Sequence, residues 1–283
     1  MKLLLALLMP LSLPGAVVEA PPTEQVVIAD GHVDLGPRFV DGKWTIQLRD
    51  DRVDPVVWRP LENVVVQATD QAQVAVPADP AYTFLGKAGQ KVWVIPQVQK
   101  AGVVWPGWNT QDTEVATKVD REVMWSLNGV DGPGAFTLFL NSDFGKPAPV
   151  FDSRKPFPQE TGIDVNTHVH GNWTFETEGT YLLDISMTAK LTDGTTATDR
   201  QTLRLYAGQR DPRAAFSVQP KTTGAGTAES PGQAADGTGS AGGTGSAGGT
   251  GSAGPVVWIG SGAALAALGA GFLLLRRRKA AQA

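Results

Sequence analysis

The segment Thr180–Tyr206, TYLLDISMTAKLTDGTTATDRQTLRLY, decides the fold class. Tyr181, Leu183, Ile185 and Met187 occupy every second position. In an extended chain that spacing returns successive side chains to the same face. Asp193-Gly194 is a turn signal, and Leu203 and Leu205 resume the alternation on the return. The segment reads as a β-hairpin with one face in a core.

Working outward, KWTIQLRD (Lys43–Asp50) places Trp44, Ile46 and Leu48 on one face, and NVVVQA (Asn63–Ala68) and KVWVI (Lys91–Ile95) are short β-branched runs. REVMWSLNGVDGPGAFTLFLNS (Arg121–Ser142) reads as two strands joined through NGVDGPG. A 3.6-residue apolar period is sustained only near the termini. The pattern predicts an all-β fold, an antiparallel sandwich of immunoglobulin-like or jelly-roll type, over residues 21–210. The passage EGTYLLDISM, an acidic-Gly-Thr-Tyr corner entering an alternating strand, resembles the end of immunoglobulin-like extracellular modules.

The flanks predict the compartment. Residues 1–20 carry Lys2, a short apolar run and then small residues, the pattern of a secretory signal peptide. Residues 211–254 turn to Gly, Ala, Ser and Thr, with three copies of GTGSAG from Gly237 to Gly254. Such a composition predicts a disordered linker with an end-to-end distance of roughly 30 Å. Residues 255–275 form an apolar run of about the 20 residues that cross a bilayer, and Arg276–Lys279 opens a basic cytoplasmic tail, 276–283. The expected topology is a single-pass cell-membrane protein, N-terminus outside, anchored in the lipid bilayer by its C-terminal helix. No sortase-type LPxTG precedes the apolar run.

Composition narrows the chemistry. The chain has 283 residues, a formal net charge of −4 and no cysteine, which removes disulfides, thiolate metal sites and cysteine nucleophiles. Setting aside Lys2, Glu19 and the four basic tail residues leaves 19 cations against 27 acids, an acidic ectodomain suited to cations rather than nucleic acid. GxSxG, HExxH and Walker motifs are missing from the sequence, and GxGxxG strings occur only within the GTGSAG linker repeats, so the reading is not an enzyme. Asp50-Asp51 reads as a turn or edge pair.

The three histidines sit in two similar tripeptides, His32-Val33-Asp34 and His168-Val169-His170. On a strand, each pair shares a face while the valine points to the core. Were the two strands neighbours, three imidazoles and one carboxylate would converge, a set that suits Zn²⁺ or another transition metal ion. Asp34 would serve as a ligand or as the carboxylate that orients an imidazole. The competing reading makes the histidines ordinary polar strand residues. It gives the function to VVWPGWNT, where Trp105 and Trp108 flank a Pro-Gly turn and, if exposed on a loop, would bind a glycan or protein partner.

Three stretches, GHVDLGPRFVDGKWTIQLRDD (Gly31–Asp51), YTFLGKAGQKVWVIPQVQKAGVVWPGWNT (Tyr82–Thr110) and HVHGNWTFETEGTYLLDI (His168–Ile185), resemble the actinobacterial surface-anchored domain called choice-of-anchor M. The resemblance spans about Gly31 to Gly208. It implies varied C-terminal anchors on a shared ectodomain and association with ABC transporter systems of the metal type. The implied role is cell-surface capture or handover of a transition metal, with the family's histidine motifs falling on His32, Asp34, His168 and His170.

Overall fold

The computed structural model describes residues 23–141 and 145–221. The expected signal peptide, most of the linker, the membrane helix and the basic tail lie outside the described residues. Among the described residues no helix is long and apolar enough to cross a membrane.

The strands, in chain order, are β1 (Val26–Ile28), β2 (Gly31–Val40), β3 (Lys43–Asp50), β4 (Val57–Pro60), β5 (Val64–Ala68), β6 (Gln73–Ala75), β7 (Lys91–Ile95) and β8 (Val104–Asn109). After helix α1 (Thr113–Lys118) come β9 (Val119–Asp131), β10 (Phe136–Asn141), β11 (Pro147–Asp152), β12 (Gln159–Asp164), β13 (His168–His170), β14 (Asn172–Phe175), β15 (Gly179–Leu191) and β16 (Thr196–Ala207). They form three sheets, with orders β1-β5-β16-β15-β9-β12, β11-β10-β14-β7-β6 and β13-β8-β2-β3-β4.

The fold is all-β, as the alternation implies, but it departs from a purely antiparallel two-sheet sandwich. β1 with β5, β5 with β16, and β2 with β8 pair parallel. Parallel neighbours need a crossover rather than a tight turn, so the valine-rich β5, buried at every position, sits between partners remote in sequence. Likewise β9 and β10 do not close a hairpin. Residues 132–135 pass the chain from the first sheet to the second. Helix α1 escaped the periodicity reading because six residues hold less than two turns. Its Asp112 cap accepts hydrogen bonds from the Glu114 and Val115 amides.

The three sheets share one core. Trp125 of β9 packs against Trp108 of β8 (ring centroids 5.3 Å apart), Phe151 of β11 (4.9 Å) and Trp173 of β14 (6.1 Å), so one indole touches all three sheets. The β15–β16 hairpin contributes Tyr181, Leu183, Ile185, Met187, Leu203 and Leu205, none more than 2 % exposed. The tyrosine corner is present: Tyr181 Oη donates to the Thr177 carbonyl at 2.8 Å and accepts from its amide at 3.0 Å. Burial pushes this phenol up to about 12. The boundary of the domain lies past residue 210, because the short 3₁₀ turn Pro212–Phe216 buries Ala215 against Val65 and Tyr206. The first residues assigned to the linker therefore belong to the fold.

Candidate metal centre

Strand β8 is the platform of the site. β2 runs parallel on one side of it, pairing His32 with Trp105 and Asp34 with Gly107. β13 runs antiparallel on the other, pairing His168 with Asn109 and His170 with Gly107. The two histidine strands are not direct neighbours. They flank β8, and their side chains meet across its surface.

That meeting depends on Gly107. A β-carbon at this position would lie 2.4 Å from Asp34 Oδ1 and 2.8 Å from His170 Cε1, so only glycine leaves the space in which the two side chains converge. Residues 105, 107 and 109 share a face by strand periodicity, which adds Trp105 and Asn109 to the same surface. Trp108 points the other way and is 4 % exposed in the core. The tryptophans thus lie on a strand rather than a loop, Trp108 in the core and Trp105 half-buried. Trp105 stacks on His170 at 3.7 Å with an interplanar angle of 11°, and its Nε1 donates to the Gln97 carbonyl at 2.9 Å. Pro106-Gly107 looks like a turn in sequence. The proline is tolerated beside β13 because that ladder ends at Gly107.

β13 is held at its start by Thr110. The amide of this buried residue donates to the Thr167 carbonyl at 2.9 Å, and its hydroxyl accepts from the Thr167 amide at 3.0 Å while donating to the Asp164 carbonyl at 2.7 Å. Asn166 turns the chain into the strand at φ 58, a conformation asparagine tolerates well.

The four expected residues come together. His168 Nε2 lies 2.9 Å from Asp34 Oδ1 and 3.1 Å from His170 Nε2, and His170 Nε2 lies 3.2 Å from His32 Nε2. His32 and His170 Nε2 stand 3.6 and 4.0 Å from Asp34 Oδ1. All four donor atoms fall within 4.8 Å of one another, and the group could hold a metal ion. Four ligands around Zn²⁺ at its usual bond lengths would be spaced at about 3.3 Å. The observed set brackets that value.

Charge and hydrogen bonding orient the donors. Burial would raise Asp34, which is fully enclosed. The His168 hydrogen bond, the charges of His168 and His32 and the Asn109 amide together outweigh it and hold this carboxyl below its ordinary range. Asn109 Nδ2 donates to Asp34 Oδ2 at 2.9 Å, leaving Oδ1 to face the histidines. Asp51 Oδ2 lies 2.8 Å from His32 Nδ1, so that nitrogen carries the proton and Nε2 presents its lone pair. Burial is the main force lowering His170 to about 4, with His168 and His32 acting the same way against the pull of Asp34. This imidazole is neutral at physiological pH.

Three neutral rings cannot satisfy this arrangement by themselves. His32 Nε2 presents a lone pair to His170, while His168 Nε2 needs its proton for Asp34. If His170 carries its proton on Nε2, it faces the His168 proton. If it carries it on Nδ1, toward the Pro106 backbone, two lone pairs face each other at 3.2 Å. A cation at the centre resolves the conflict, because it accepts all three lone pairs and the carboxylate at once.

Searches of protein-family models, curated proteins and solved structures find no match.

Sequence reasoning located the four donors but missed what arranges them. Gly107 and Asn109 were hidden in an apparent loop. Asp51 sits in the turn directly after β3, next to Asp50 at the end of that strand, and from there it also supports His32. Asp50 is wholly buried between Arg52 Nε and Arg59 Nε at 2.8 Å each, and these guanidinium contacts overcome burial and keep its carboxyl low. Nineteen positions separate Asp51 from His32, so no local sequence signal ties them together.

Proposed function

We propose that this protein is a membrane-anchored cell-surface protein that binds one transition metal ion, Zn²⁺ or a close equivalent, and serves as the capture component of an ABC-type transporter. The observation that carries the metal reading is the convergence of three Nε2 atoms and one monodentate carboxylate over Gly107. Neutral imidazoles with no thiolate suit a borderline ion at neutral pH. The expected signal peptide, linker and C-terminal helix support a tethered, all-β ectodomain of sandwich type outside the cell. The resemblance to choice-of-anchor M domains supports the transporter connection. In this role the protein performs no chemistry on its cargo, and handover is ligand exchange.

The aromatic alternative has less to rest on, since Trp108 is core and Trp105 is occupied by His170 and Gln97. The test is elemental analysis with zinc titration calorimetry on the full-length protein after chelation. One equivalent bound by the wild type, and none by the His168→Ala/His170→Ala double variant, is the expected result. A folded wild type with no metal above background would sink the proposal.

A further inference from the structure

The four donors are not equally restrained. Their side chains are exposed by 0 % for Asp34, 10 % for His170, 19 % for His32 and 32 % for His168. Three have external support: Asp34 from the Asn109 amide, His32 from Asp51, and His170 from the Trp105 ring stacked along its face. His168 differs. Among the described residues, its Nδ1 has no hydrogen-bond partner, and its ring neighbours are the two other histidines at 5.4 and 4.9 Å. It also starts a three-residue strand at the edge of its sheet, with β8 on one side and no strand on the other.

We propose that His168 is the exchange ligand of this centre. The inference rests on the metal reading above and adds the order in which bonds break. A ligand atom from an acceptor, an imidazole nitrogen or carboxylate oxygen, approaches from the open edge. It forms its bond to the ion as the metal–Nε2 bond of His168 breaks. The freed imidazole leaves neutral, no electron is transferred, and the ion keeps its charge. His32, His170 and Asp34 retain the ion in the interval as a three-donor cup. Their own release comes later, because a buried carboxylate and a sandwiched imidazole have little room to swing away. Supported ligands are held in place by their outer partners, and the one lacking such a partner loses least by moving.

The test is stopped-flow transfer of Zn²⁺ from the loaded full-length protein to a chromogenic chelator. For the wild type the transfer rate should rise with chelator concentration, since the chelator attacks an accessible position. His168→Ala should still bind one equivalent, with lower affinity than the wild type. It should transfer faster, with free imidazole restoring the slow rate by occupying the vacated position. His170→Ala should lose stoichiometric binding and show no imidazole rescue. His168→Gln serves as a second variant if the alanine form is poorly folded, and the same loss of slow transfer is expected. If the wild type binds zinc but His168→Ala loses it as completely as His170→Ala, or transfers at an unchanged rate, the exchange role is wrong and the metal site stands. If the wild type binds no zinc, both fall.

Discussion

The β15–β16 hairpin and the β2–β8–β13 corner are made of the same element, yet their physical demands are opposite. Along Tyr181–Met187 and Leu203–Leu205 of the hairpin every second residue is apolar and buried. A single rule, alternation, specifies both register and core. In the corner, three adjacent strands put polar and titratable groups on one face, and what matters is how little fills the middle. Gly107 contributes no side chain, and Asp34 is buried because Asn109 and His168 satisfy it. The first region contributes a continuous buried apolar face, and the proposed metal site depends on the second.

This difference can be broken from either side. The largest expected effect is on stability at the hairpin. Ile185→Ala removes a fully buried side chain and should destabilise the fold by about 2–5 kcal/mol in denaturant unfolding, with metal stoichiometry unchanged in the folded fraction. An equal loss of zinc binding per folded molecule would show that the two regions are not separable.

Gly107→Ala should do the reverse. Its methyl group would intrude between Asp34 and His170, so zinc binding should be lost while the hairpin's near-ultraviolet signal and most of the stability persist. Retained stoichiometric binding would mean that the strands can spread and that the glycine is incidental.

Acid should act on the corner next. His170 titrates near 4 in the folded chain and near 6.5 when unfolded, so the unfolded state takes up the proton first as pH falls. Its contribution is intact above about pH 6.5 and is lost progressively down to about 4, by roughly 3 kcal/mol in total. The Asp34 carboxyl is held below its ordinary value, so its share is lost only at still lower pH. Unfolding of the metal-free protein between pH 8 and 4 should show the first loss, and His170→Ala should flatten it. A flat wild-type profile would contradict the burial of His170.

The smallest effect tests outer support. Asp51→Asn leaves all four donors present but weakens the acceptor that fixes the His32 tautomer. Zinc affinity should fall about 10–100-fold with unchanged stoichiometry. No change in affinity would make the Asp51 contact a bystander.

How far the sequence disclosed each region follows from the same contrast. Alternation at Tyr181–Met187 and Leu203–Leu205, and the Asp193-Gly194 turn, were legible because they are local and repeat. The His-x-Asp and His-x-His pairs were legible because the histidines occur nowhere else. The parallel placement of β2 beside β8 was not, since it joins residues about seventy positions apart and leaves no local period. Pro106-Gly107 carried a turn signal that tertiary pairing overrode, which hid the platform and both tryptophans' true positions. The three-residue β13 was too short to mark its own edge.

The most direct test of the central claim is X-ray absorption at the zinc edge on the loaded full-length protein. The expected spectrum shows one ion with nitrogen and oxygen donors at about 2.0–2.1 Å, and multiple scattering from three imidazole rings that disappears in the His168→Ala/His170→Ala variant. A shell without imidazole scattering, or an identical spectrum from the double variant, would contradict it.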